Sequence, residues 1–155
     1  MAIFGVLTAI AVGALYTWRD AQAEKGTVRE LLSSLRNVQG RAVSESTTFC
    51  VDFGGATSTS FTVYRTPGAG TGALSTSFAC SSGTAVLGPV KTEPKTSLTG
   101  INFDQRNGLT TTFILFYPRG AASPGSINIG RQGSAKTYSV TIDGLTGRVS
   151  SPDGH

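Results

Sequence analysis

Few side chains in this chain could do chemistry, and they are scattered. Cys50 and Cys80 are the one cysteine pair. Outside a reducing cytosol they can close a disulfide, and in the chain-entropy treatment a loop of about 30 residues contributes roughly 3.5 kcal/mol. Two free buried thiols are the alternative. There is no second cysteine pair and no internal histidine to complete a zinc site, so metal binding at these residues is not expected. His155 is the only histidine and the last residue of the sequence, where nothing holds a general base in place. Asp52, Glu93, Asp104, Asp143 and Asp153 stand singly, with no pair spaced so that two environments could split two pKa values for acid–base work. The residues therefore predict no catalytic set and no cofactor.

The glycine-rich stretch Thr66-Pro67-Gly68-Ala69-Gly70-Thr71-Gly72 is a loop and not a nucleotide cradle. A phosphate-binding loop must open a helix so that backbone N–H groups face the anion, and here a strand-like run, Ala73 to Phe78, follows. Charge is modestly basic, +4 at neutral pH, and it concentrates between Lys91 and Arg148, where seven basic residues face three acids. A solvated basic face explains that excess; an anionic partner is the sharper reading.

The elements that must carry these residues fall into two regimes. No residue from Ala2 to Trp18 is charged, and Ile3, Phe4, Val6, Leu7, Ile10, Val12 and Leu15 make the run strongly apolar. Eighteen residues at about 1.5 Å rise give roughly 27 Å, just short of a hydrocarbon core of about 30 Å. A cleaved signal peptide would need a basic segment before the run and a small-residue cleavage site after it. Nothing basic precedes Ala2, and Tyr16, Trp18, Arg19 and Asp20 suit a membrane–water boundary, although Ala21-Gln22-Ala23 is a weak cleavage match. Residues 1–18 thus predict an anchor.

Residues 19–46 predict the amphipathic continuation of that helix. Val28, Leu31, Leu32, Leu35, Val38, Ala42 and Val43 recur at spacings of three and four, with Arg29, Glu30, Arg36, Arg41 and Glu45 mostly on other faces. Gly26 and Gly40 mark expected bends or close packing points. Residues 47–155 predict a β-rich domain that can cover the stripe. Strands are expected at 48–53, 61–65, 74–79, 85–87, 98–103, 110–117, 126–129 and 138–142, bounded by Gly, Pro, Ser and Asn clusters. The run Thr110 to Tyr117 is expected to be central, and the disulfide to join the first strand to the third. The fold class is α+β: one long N-terminal helix, membrane-anchoring and then amphipathic, packed on an antiparallel sheet.

Three stretches also carry a resemblance. Met1-Ala2-Ile3-Phe4-Gly5-Val6-Leu7-Thr8-Ala9-Ile10-Ala11 resembles the second half of the N-terminal segment of type IV pilins and type II secretion pseudopilins. Leu31 through Ser46 is similar to the helix of the GspH/FimT family of minor pilins. Phe116-Tyr117-Pro118-Arg119-Gly120, Gly125-Ser126-Ile127-Asn128-Ile129 and Gly144-Leu145-Thr146-Gly147-Arg148-Val149 resemble that family's closing strands. The resemblance implies a pilin-like fold and a non-enzymatic subunit of a type IV pilus or type II secretion pseudopilus. It also implies the partners: other pilins or pseudopilins through the N-terminal helix, the inner-membrane assembly platform, and membrane lipid. The subunit would be single-pass in the bacterial inner membrane, with its C-terminal domain on the extracytoplasmic side, before entering a filament.

The family's short basic leader, its cleavage site and a glutamate five residues into the mature helix have no counterpart here. The register of Gly5 and Ala9 places Met1 about ten residues into that helix, so these features are expected upstream; a degenerate, unprocessed subunit is the alternative. Some family members bind DNA through a C-terminal G-R-x-R element. Gly147-Arg148-Val149-Ser150 keeps the first arginine and lacks the second. DNA is therefore the alternative partner, with Arg131, Lys136 and Arg148 as its expected contacts.

Overall fold

A computed structural model describes residues 2–68, 78–105 and 108–152, with side chains described for Gln22 and from Glu24 onward. Helix α1, Ala2–Ser44, runs 43 residues without interruption, about 65 Å at the usual rise. It passes through Gly26 and Gly40, and a methyl group at either would meet nothing within 4 Å, so neither is a close packing point. The helix stops at a Schellman turn. Ser46 adopts a left-handed φ of 49°, while Thr47 N–H donates to Ala42 carbonyl at 3.1 Å and Ser46 N–H to Val43 carbonyl at 3.3 Å. Those bonds satisfy carbonyls that the helix end would otherwise leave bare.

The β-region holds two antiparallel sheets where the sequence predicts one. The first contains β1 (Phe49–Asp52), β3 (Ser60–Arg65), β4 (Thr84–Lys91) and β7 (Phe113–Phe116), in the order β4-β3-β1-β7. In the second, β10 (Val149–Ser150), β9 (Thr137–Ile142), β8 (Gly125–Arg131), β5 (Thr96–Asp104) and β2 (Thr57–Ser58) lie side by side, with β6 (Thr110–Thr111) also on β5. The expected strand 110–117 is thus split: Thr111 pairs with Phe103 of one sheet, and Phe113 with Asp52 of the other. The chain changes sheets at Thr112, a corner device common where two sheets meet. The expected strand 74–79 lies almost wholly outside the described residues.

Strand β7 ends its sheet and is not central, yet Ile114, Leu115 and Phe116 are fully buried. The returning loop covers its edge: Ser123 N–H donates to Leu115 carbonyl at 2.9 Å and Tyr117 N–H to Ala121 carbonyl at 2.8 Å. One core joins the helix to both sheets. Val28, Leu31, Leu32, Leu35, Val38 and Ala42 pack with Phe49, Val51, Leu98, Phe103, Ile127, Ile129 and Val140. Val43, predicted on the stripe, is 48% exposed, because one position beyond Ala42 the helix has turned about 100° away.

Cys50 and Cys80 form a disulfide, with Cα atoms 5.6 Å apart. Cys80 opens a short 3₁₀ turn, Cys80–Ser82, so the bridge ties β1 to a turn and not to a third strand. Both sulfurs belong to a second buried cluster with Leu115 and Tyr117 on the outer face of the first sheet. This is why β1 and β7 are covered on both faces.

Candidate functional site

Ties to α1 fix both ends of the β-domain along the helix. At the lower end, Glu93 N–H donates to Thr27 Oγ1 at 3.3 Å. At the upper end, Gln39 Nε2 donates to Thr146 carbonyl at 2.9 Å and to Gly120 carbonyl at 3.4 Å, and Arg36 Nη2 to Val149 carbonyl at 3.2 Å. Thr27 and Gln39 are twelve residues apart, about 18 Å of helix, so apolar burial and polar ties run the same length. The carbonyls bound by Arg36 and Gln39 carry no signal of their own in a sequence, and the sequence reading missed them.

Lower and upper ends differ in charge. At the lower end the register pairs Thr96 with Arg131 and Gly130 with Thr137, bringing the turn before β5 beside the β8–β9 turn. Lys95, Arg131 and Lys136 line one cleft of about 430 Å³, whose other polar groups are Thr59, Thr96, Ser97, Gln132, Ser134 and Thr137. Two expected contacts, Arg131 and Lys136, are thus brought together with a third cation, Lys95, that the sequence reading did not select. Arg148 is not with them. It lines a separate cleft at the upper end with Asp143, Thr146 and Pro124, about 20 Å of strand from Arg131.

The upper end is built around Asp143. Its Oδ1 accepts from Thr146 N–H and Thr146 Oγ1, both at 2.8 Å, and from Leu145 N–H at 3.1 Å. Those bonds hold the carboxyl below its ordinary value of 3.8: the Thr146 N–H contributes most, then the Thr146 hydroxyl, desolvation opposes, and the Leu145 N–H and Arg148 charge assist. The turn leaves Leu145 90% exposed at its tip. Asp104, buried Gln105 and Ser123 line the adjoining cleft of about 470 Å³, with Ser123 Oγ donating to Gln105 Oε1 at 2.9 Å.

Ile3, Phe4, Val6, Leu7, Ile10, Val12 and Leu15 fall within the α1 backbone, and their side chains lie outside the described residues. Among the described residues no helix is long and apolar enough to cross a membrane, and no group of three or more metal-type side chains gathers.

The family profile described as "Type II transport protein GspH" matches residues 27–146, from the first tie on the helix to the Asp143 turn. The chain belongs to the GspH family of minor pilins and pseudopilins. The fold agrees: a crystal structure of the Pseudomonas aeruginosa (strain PAO1) type IV minor pilin FimU in space group P21 superposes with a TM-score of 0.50 at 13% identity. That match covers 90% of this chain and 98% of the other. A second crystal form of FimU, in space group P65, gives a TM-score of 0.48 at 12% identity over 83% and 97%. No curated protein matches the chain. The GspH profile begins at Thr27, so the likeness that places the chain in the family is carried by the docked half of the helix and the two sheets.

Proposed function

We propose that the chain is a non-enzymatic filament subunit that waits in the bacterial inner membrane and then packs, helix against helix, into a type IV pilus or a type II secretion pseudopilus. The observation that carries this reading is one helix with two halves. From Thr27 to Ala42 its apolar stripe is consumed by the chain's own β-domain, whereas Ala2 to Trp18 is an uncharged, apolar run. A surface of that kind needs lipid first and neighbouring helices afterwards, where close packing replaces lipid contacts. Its partners are other pilin-type subunits, the inner-membrane assembly platform, and lipid.

Membrane fractionation tests the first step. Expressed in a bacterium with a pilus or secretion assembly machinery, the chain should stay with inner membranes after alkaline washing, with its β-domain open to protease only from the extracytoplasmic side. A chain recovered entirely in the soluble fraction would overturn the reading.

A further inference from the structure

We propose that the cleft of Lys95, Arg131 and Lys136 is a headgroup site, by which the β-domain rests on anionic phospholipid while the subunit waits in the membrane. The proposal rests on the reading that the apolar half of α1 spans the bilayer, and it adds a second, electrostatic contact to that anchor.

Orientation carries the argument. The bond from Glu93 N–H to Thr27 fixes the 92–96 turn to α1, and Gln39 holds the opposite end of the domain to the helix. The cleft therefore sits at the end of the domain that faces the apolar half. From Trp18 to Thr27 is nine residues, about 13 Å of helix. A headgroup layer about 5–7 Å thick covers part of that distance, so Thr27, to which the 92–96 turn is tied, stands about one screening length, ~8 Å, beyond it.

The cleft is also suited to phosphate. Two turns are bonded to each other across it: Gln132 N–H donates to Lys95 carbonyl at 2.9 Å, and the β8–β9 turn is closed by Ser134 N–H to Arg131 carbonyl at 3.0 Å and Lys136 N–H to Ser134 Oγ at 3.1 Å. Its lining has three cations, hydroxyls and an amide, and no carboxylate; Glu93, two residues before Lys95, is outside it. Asp104 and Asp143 are at the other end of the second sheet, about 30 Å along β5 from Lys95 in the case of Asp104. A flat anionic surface is met by cations gathered at one end of the domain, and the strand register gathers Lys95, Arg131 and Lys136 there. A DNA duplex tracked by Arg131, Lys136 and Arg148 together would have to reach both ends.

The full chain in lipid nanodiscs tests this. Ala135→Cys, exposed on the β8–β9 turn, takes a fluorophore while the native cysteines stay paired in their disulfide, and a headgroup-quencher lipid reports its distance from the surface. Quenching should be strong in phosphatidylglycerol discs, weak in phosphatidylcholine discs, and reversed by salt. Each of Lys95→Gln, Arg131→Gln and Lys136→Gln should reduce domain docking about fivefold, whereas Arg148→Gln at the far end should leave it unchanged. Equal quenching in the two lipids, or none lost with salt in the unmutated chain, would overturn the proposal without touching the anchor. A chain that fails to enter even neutral discs would overturn the anchor reading and the proposal with it. Binding of duplex DNA that depends on these three residues, with no response to phosphatidylglycerol, would assign the cleft to nucleic acid and overturn the lipid site.

Discussion

Replacing Leu35 with alanine probes how firmly the helix is held by the β-domain. Leu35 is fully buried, at the middle of the stripe between Leu31 and Val38. The substitution removes the buried branched end of the side chain from the core that joins the helix to the two sheets, and the neighbours cannot close the gap because α1 is fixed on either side by Thr27 and Gln39. Comparable core truncations cost about 2–5 kcal/mol; a rigidly held site argues for the middle of that range, about 3 kcal/mol. For a domain of this size that lowers the melting temperature by roughly 10 °C. Val43→Ala is the internal control, since Val43 is 48% exposed and should change stability by less than about 0.5 kcal/mol. Thermal and urea unfolding of the detergent-solubilised chain, followed by circular dichroism, measures both. A Leu35→Ala chain as stable as the parent, or a Val43→Ala chain as damaged as Leu35→Ala, would refute the packing described here.

Three further outcomes follow from particular contacts. Cys50 and Cys80 should resist alkylation until reductant is added, and replacing both with alanine should cost about 3.5 kcal/mol for a loop of 30 residues; thiols that alkylate at once in the folded chain would contradict it. Gly147→Ala should destabilise by about 1–3 kcal/mol in denaturant melts, because Gly147 sits at φ 63° and an added methyl would collide with Gly120 carbonyl oxygen and lie 2.8 Å from Gln39 Nε2; an unchanged midpoint would count against the upper tie. The Asp143 carboxyl should titrate by NMR below 3.8. Its folded pKa is depressed, so the turn's contribution to stability is present above the unfolded value and fades as pH falls through the lower folded one; a midpoint at or above 3.8 would contradict the hydrogen bonding of that turn.

Much of the fold was legible because its determinants are periodic. Spacings of three and four placed Val28, Leu31, Leu32, Leu35, Val38 and Ala42 on one buried face, and alternation placed Val140 and Ile142 inward. Val43 misled because spacing alone does not say where a stripe's edge lies. The change of sheet at Thr112 was hidden for a different reason: no glycine or proline marks it, and the run reads as continuously strand-forming on both sides. The charged end of the domain was half legible. Arg131 and Lys136 lie close in sequence, but Lys95 joins them only through the pairing of Thr96 with Arg131, a register that hydrophobic pattern and turn chemistry set jointly. Arg148 looked like their companion and stands at the other end of the same sheet.

The most direct test of filament membership is a contact made by the apolar half of the helix. A photo-crosslinking amino acid at Leu7, introduced in cells with an active assembly machinery, should capture other pilin-type subunits, with yield falling when the assembly ATPase is inactivated. Capture of no pilin-type subunit from a chain that is expressed, folded and membrane-bound would contradict the filament reading.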